Sequence, residues 1–173
     1  MFNFEESEFD NVYRLMKLSF PEDERRPYKD QKALLLKKEY KIHVLKNETS
    51  DSLRAFAAIW NFKGFAYIEH FAVSPDARNC GLGSRMLKKL ISESDKPICL
   101  EVEPPVSEIT ARRIAFYERN GFFLNDYEYI QPALAQNRKA VPLKIMTTGK
   151  QISLDEFKRI KNTLYKYVYN QPD

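Results

Sequence analysis

The sequence predicts an α+β fold with a mixed sheet, mostly antiparallel, in one domain, and three observations carry that expectation. Three β-rich segments follow one another between about 40 and 73, separated by turn-forming residues. Beyond them, helical and strand patterns alternate to about residue 147. A final amphipathic stretch, about 153–169, reads as an extra C-terminal helix. A chain of 173 residues suits one compact unit and is short for two, so 1–173 is expected to be a single domain.

The elements follow in order. Ser7 with Asp10 reads as a helix start, and Phe9, Val12, Met16 and Phe20 recur on one face until Pro21 stops them. The charged run Pro21 to Pro27 is a loop, and Asp30 to Glu39 reads as a short second helix. Tyr40 to Leu45, Leu53 to Trp60 and Phe65 to Val73 read as strands joined by turns at Asn47 to Ser52 and Asn61 to Gly64. Leu82, Met86 and Leu90 mark a helix from Gly81 to Glu93, broken by Asp95-Lys96-Pro97. Ile98 to Pro104 is a strand, and a helix from Ser107 to Asn120 ends at Gly121 with Phe122 folding back on its last turn. Asp126 to Ile130 and Val141 to Thr147 form a last strand pair around the loop Pro132 to Ala140. Ser153 with Glu156 caps the final helix, whose stripe is Phe157, Ile160, Leu164 and Tyr167 or Val168.

Composition removes several function classes. With 43% hydrophobic and 30% charged residues the chain is an ordinary globular mix, not a disordered one. It has no apolar run near the roughly 20 residues of a membrane span. MFNFEESEFD is acidic and lacks a signal peptide's apolar stretch, so a cytoplasmic protein is expected. Cys80 and Cys99 form no CxxC pair, and His43 and His70 have no metal-ligand spacing, so no metal site is expected. A net charge of +4 does not call for nucleic acid but favours a small polyanionic ligand.

Chemistry concentrates in Arg78-Asn79-Cys80-Gly81-Leu82-Gly83-Ser84, between a strand and a helix. A helix start offers unpaired N–H groups and a positive dipole end, and glycines let an anion approach them. That makes a phosphate or pyrophosphate cradle. There is no GxxxxGK[ST] and no GxGxxG, so neither a P-loop nor the dinucleotide fingerprint is present.

Val73 to Leu90 resembles motif A of the GNAT superfamily of acetyl-CoA-dependent N-acetyltransferases, with Arg78, Gly81 and Gly83 at the motif's Arg/Gln, Gly and Gly/Ala positions. Ala111 to Phe122, ARRIAFYERNGF, resembles motif B, a helix with an aromatic-Tyr pair before a Gly-Phe turn. The resemblance covers about Phe65 to Phe122 closely and the remaining strands more loosely. It implies a sheet whose fourth and fifth strands in the family's order, here Phe65 to Val73 and Ile98 to Glu103, splay apart to admit the pantetheine arm of acetyl-CoA. The main chain of Phe71, Ala72 and Val73 would bond the arm, and Arg78, Asn79, Cys80, Gly81, Leu82, Gly83 and Ser84 would hold the pyrophosphate. Cys80 stands where the family usually has a basic or small residue and reads as a neutral replacement. Arg85, Lys88 and Lys89 suit either the coenzyme's 3′-phosphate or an ordinary solvated helix face.

Acetyl transfer to an amine needs a deprotonated acceptor, a polarised thioester carbonyl and a proton for the departing thiolate. A backbone N–H near Val73 is the expected donor to the carbonyl. Tyr117 matches the family tyrosine that protonates the thiolate. Thr110 shares its helix face, so Thr110 and Tyr117 are both expected to face the cofactor, although the family often has Asn at the Thr110 position. Glu69, in an apolar strand nine residues before Arg78, is the first choice for base, with a pKa raised by desolvation. His70 should point to the opposite face unless a bulge intervenes. Some family members have no dedicated base and use water chains. His70, Glu101, Glu103 and Tyr28 are candidates for binding a cationic acceptor, and Trp60, Tyr127 and Tyr129 are either pocket wall or core.

The activity implied is transfer of the acetyl group of acetyl-CoA to a primary amine, of a small molecule or a protein, by direct attack in a ternary complex. The partners are acetyl-CoA and that amine, with no metal, membrane or nucleic acid, and a monomer or homodimer. The alternative is a non-catalytic acyl-CoA-binding regulatory or interaction module, which shares the loop and needs no base.

Overall fold

A computed structural model describes residues 4–47, 49–50 and 52–171. The expected turn at Asn47 to Ser52 lies partly outside the described residues, at 48 and 51. The fold is mixed α/β. Its strands are β1 (Tyr40–Lys46), β2 (Leu53–Asn61), β3 (Ala66–Val73), β4 (Ile98–Val102), β5 (Phe122–Gln131) and β6 (Val141–Thr148), in the sheet order β1-β2-β3-β4-β6-β5, mostly antiparallel. The helices are α1 (Phe9–Ser19), α2 (Tyr28–Ala33), α3 (Leu82–Glu93), α4 (Glu108–Glu118) and α5 (Leu154–Tyr167). The chain divides into two compact units, the first comprising Met1–Pro21 and Arg25–Ile98, the second Glu22–Glu24 and Cys99–Asp173.

In the first unit, β1, β2 and β3 form the expected antiparallel meander, with Tyr40 opposite Trp60 and Ala57 opposite Phe71. The β2–β3 turn closes with Phe62 N–H donating to Phe65 O at 3.0 Å. β2 is buried on both faces from Ala55 to Trp60, and β3 buries Ala66, Tyr67 and Ile68 in succession, so the apolar run is continuous there rather than alternating. α1 and α3 pack against β3; α1 buries Val12 and Met16, and α3 buries Met86, Leu87 and Leu90. Two expectations are corrected here. A 3-10 turn, Glu6–Glu8, precedes α1, and its capping box is made by Glu5 and Glu8 rather than by Ser7. The second helix runs Tyr28–Ala33 and tightens into a 3-10 turn at Leu34–Leu36, stopping short of Glu39.

In the second unit, β6 pairs antiparallel with β4 and with β5. β5 is longer than predicted, starting at Phe122, because its register breaks between Asn125 and Tyr129 and hides its alternation. The buried Asn125 amide bridges that break, donating to Ile145 O at 3.1 Å and to Thr147 Oγ1 at 3.0 Å. α4 stops as expected: Gly121 takes φ 88°, and the Phe122 ring lies edge-on to Tyr117 at 5.7 Å. Ser153 and Glu156 cap α5 reciprocally. The α5 stripe buries Phe157 and Leu164, and Val168 rather than Tyr167 continues it.

Candidate functional site

In the first unit, the segment between β3 and α3 is built to expose main chain. A 3-10 turn, Pro75–Ala77, leaves the strand; Ser74 N–H donates to Arg54 O at 2.8 Å, and Arg54 pairs with Asp76 at 3.2 Å. Arg78 folds back, Nε donating to Val73 O at 3.2 Å. Asn79 and Gly81 then take φ 60° and 73°, both left-handed, which turns the chain sharply into α3. Gly81 is the N-cap, and Arg85 N–H makes the helix's first backward bond, to Gly81 O at 3.0 Å. The amides of Leu82, Gly83 and Ser84 therefore precede the reach of helical bonding. Cys80 is exposed and its thiol contacts Arg78 O at 3.4 Å.

β3 carries a bulge: Ala58 faces His70 and Ile59 faces Ile68, so Glu69 is the extra residue. Both Glu69 and His70 are consequently buried, with side chains 3% and 1% exposed. Glu69 Oε1 accepts from Arg26 Nη1, and Oε2 accepts from Trp60 Nε1 at 2.9 Å. His70 packs edge-on to Phe20 at 4.8 Å, with Nδ1 4.0 Å from Glu69 Oε2. The expectation of a raised Glu69 pKa is overturned. Burial alone would raise it, but the charges of Arg26 and His70 and the bonds from Arg26 and Trp60 together hold it below the usual carboxylate range. Its oxygens are committed to two donors, and such a carboxylate is a weak base. Tyr28 donates to Asp10 and packs edge-on against Phe9 and Tyr13.

In the second unit, Tyr117 on α4 is buried, packed between Phe116 and Phe122, and burial pushes its phenol up to about 12 against the opposing charge of Arg113. It is a neutral O–H donor across the physiological range. Thr110 is also buried, but its hydroxyl serves the helix start, donating to Ser107 O and accepting from Ser107 N, both at 3.0 Å. That is a helix-capping duty. Glu103 pairs with Arg113. Glu101, half-buried on β4, accepts from Tyr129 and, at 2.8 Å to each oxygen, from Tyr169. The acidic turn Glu22–Glu24 is held by this unit's loop: Gln131 Nε2 donates to Asp23 O at 3.2 Å, Lys139 N–H to Asp23 Oδ1 at 3.0 Å, and Arg138 pairs with Glu22 at 2.8 Å. Burial, then the Glu103 charge, raises the Glu24 pKa.

Sequence reasoning missed the partners rather than the positions. Arg26 is one charge among five in a loop, yet an acid in an apolar strand requires a buried donor from somewhere. Tyr169 is only the last residue of the expected final helix and is given no role there.

The description "Acetyltransferase (GNAT) family" matches residues 9–122, well over half of the chain. The chain belongs to the GNAT family of acetyltransferases. It is 29% identical over 166 residues, 94% of this chain and 83% of the other, to YjbC of Bacillus subtilis (strain 168), named an acetyltransferase by assignment. Among solved structures, an assigned GNAT-family acetyltransferase from Bacteroides thetaiotaomicron superposes with a TM-score of 0.87 at 31% identity, covering 96% of this chain and 94% of that one. An aminoglycoside 6'-N-acetyltransferase complexed with coenzyme A shares the fold, with a TM-score of 0.55 and 17% identity over 81% of this chain and 89% of that one. No helix among the described residues is long and apolar enough to cross a membrane, and no group of three or more His, Cys, Asp or Glu among them could hold a metal ion.

Proposed function

We propose that this family member transfers the acetyl group of acetyl-CoA to a primary amine by direct attack of the amine on the thioester. The carrying observation is the turn into α3, where left-handed Asn79 and Gly81 leave the Leu82, Gly83 and Ser84 amides ahead of the first helical bond. Amides so placed at a positive helix end suit a diphosphate. Family membership, and a fold relative named as complexed with coenzyme A, support that ligand. The main chain of Phe71, Ala72 and Val73 is proposed to bond the pantetheine arm, and Arg78 to Ser84 the pyrophosphate.

Tyr117, neutral and buried, is proposed as the acid that protonates the coenzyme thiolate as the C–S bond breaks. With Glu69 held by Arg26 and Trp60, the acceptor's proton passes to water rather than to this carboxylate. Glu101 and Glu103 are proposed to face a cationic acceptor, His70 and Tyr28 to shape its approach, and Thr110 to brace α4.

The test is a pair of measurements on the full chain: coenzyme A affinity by calorimetry, and thiol release from acetyl-CoA over a panel of primary amines. Gly81→Val should weaken coenzyme A binding. A Cβ there meets no atom within 4 Å, so the effect comes from backbone strain at φ +73° alone. Left-handed strain of roughly 1–2 kcal/mol or more corresponds to about a 5- to 30-fold loss. Unchanged affinity would remove the loop from the binding site. The rival, an acyl-CoA-binding module without catalysis, is favoured only by the commitment of Glu69 to two donors. Coenzyme A binding with no thiol release on any amine would select it.

A further inference from the structure

The Glu101 cluster carries a role that the proposed acetyl transfer leaves unassigned. Two phenols donate to one carboxylate within the second unit, and a third, Tyr165, packs against their rings while its own hydroxyl donates to Ile130 O at 2.6 Å. Tyr129 comes from β5, Tyr165 from α5, and Tyr169 from the turn after α5. That turn is itself built: Tyr169 N–H donates to Leu164 O at 3.1 Å, Asn170 takes φ 51°, and Gln171 N–H returns to Tyr165 O at 2.8 Å. The left-handed residue reverses the chain and leaves the Tyr169 ring buried, its hydroxyl spanning both Glu101 oxygens at 2.8 Å. Tyr129, buried beside it, donates to the same carboxylate. Burial, and then the field of Glu101, raises the Tyr129 phenol well above its usual range, so it remains a donor.

Two buried hydroxyls fix the carboxylate's rotamer and direction, which an ordinary half-exposed strand glutamate does not require. The ring centroids lie 6.0 Å apart for Tyr129–Tyr165 and 6.4 Å for Tyr165–Tyr169. A directed carboxylate among electron-rich aromatic faces favours an ammonium ion. One ammonium already uses this surface: Lys161 Nζ sits 5.2 Å over the Tyr165 ring.

We infer that Tyr129 and Tyr169 are positioning residues that hold the Glu101 carboxylate to receive the ammonium of a cationic acceptor, so that β5 and the turn after α5 set acceptor affinity. This rests on the amine-acetyltransferase reading above and specifies the class of acceptor: an aliphatic amine that arrives protonated.

The test uses the full chain and a panel of 1,4-diaminobutane, lysine methyl ester, kanamycin and an alanine-initiated peptide, with thiol release as the rate and the amine of lowest KM as the probe. Tyr169→Phe and Tyr129→Phe should each raise amine KM about tenfold, the scale of a lost hydrogen bond to a charged group. The KM for acetyl-CoA and kcat at saturating amine should hold. Glu101→Gln should raise amine KM further, and Glu101→Gln with Tyr169→Phe should be no worse than Glu101→Gln alone, since both act through one carboxylate. A merely structural role would lower thermal stability and shift all parameters together, or give additive effects in the double variant; either overturns the inference. If the wild type binds coenzyme A but acetylates no amine, the acetyltransferase reading fails separately. Thermal stabilisation by the panel amines then decides the positioning role: a shift lost in both Tyr→Phe variants supports it, and no shift in the wild type overturns it.

Discussion

Glu69→Ala is expected to destabilise the folded chain by about 3–5 kcal/mol, the cost of leaving a buried charge without its partner. The Arg26 guanidinium, 6% exposed, would lose its carboxylate, and the Trp60 indole N–H would lose its acceptor. Replacing both charges, with Arg26→Met and Glu69→Leu, should cost far less, because an apolar pair needs no mutual compensation. Urea unfolding of the two single variants and the double supplies the cycle. A single-variant loss below about 1 kcal/mol would show that the pair is solvated like a surface ion pair.

The pH dependence has a definite sign. The Glu69 pKa is lowered on folding from its ordinary value of 4.5, so the stability it contributes is present above that value and is lost as pH falls through the lower folded value. The wild type's advantage over the double variant should therefore be constant near neutrality and shrink only in acid below about pH 4.5. An advantage that shrank between about pH 6 and pH 8 would contradict the assignment to Glu69.

Tyr117→Phe should lower kcat by about 10²-fold or more while leaving coenzyme A affinity unchanged, since general acid help is worth about 10²–10⁴. The ring contacts with Phe116 and Phe122 survive the substitution, so packing is preserved and only the proton is removed. With a phenol near 12, the wild-type rate should not fall through loss of this proton between about pH 7 and about pH 10. Equal turnover in Tyr117→Phe would take the acid role away from it.

Most elements could be read in the sequence because local signals agreed with burial. The strands from Tyr40 to Val73, the α4 stop at Gly121 and the Ser153–Glu156 cap each depend on neighbours in sequence. The start of β5 was lost because its register breaks where Asn125 turns inward, and no period survives such a break. The α3 turn is legible from Arg78, Gly81 and Gly83 together with the flanking strand and helix patterns, whereas the left-handed Asn79 carries no such mark. Electrostatics at Glu69 and Glu101 was not. The donors of Glu69 lie 43 and 9 residues away, and those of Glu101 lie 28 and 68 away, so only the folded chain brings them together. Desolvation could be predicted from an apolar strand, but the compensating Arg26 could not.

The central claim is that the main chain from Asn79 to Ser84 grips the diphosphate of coenzyme A. It is tested most directly by following backbone amide resonances of the full chain during a coenzyme A titration. The account predicts that the amides of residues 79–84 shift most, saturating with the calorimetric affinity, and that Gly81→Val needs about 5- to 30-fold more coenzyme A to reach half of its shifts. Saturable binding that leaves those amides unmoved would contradict it.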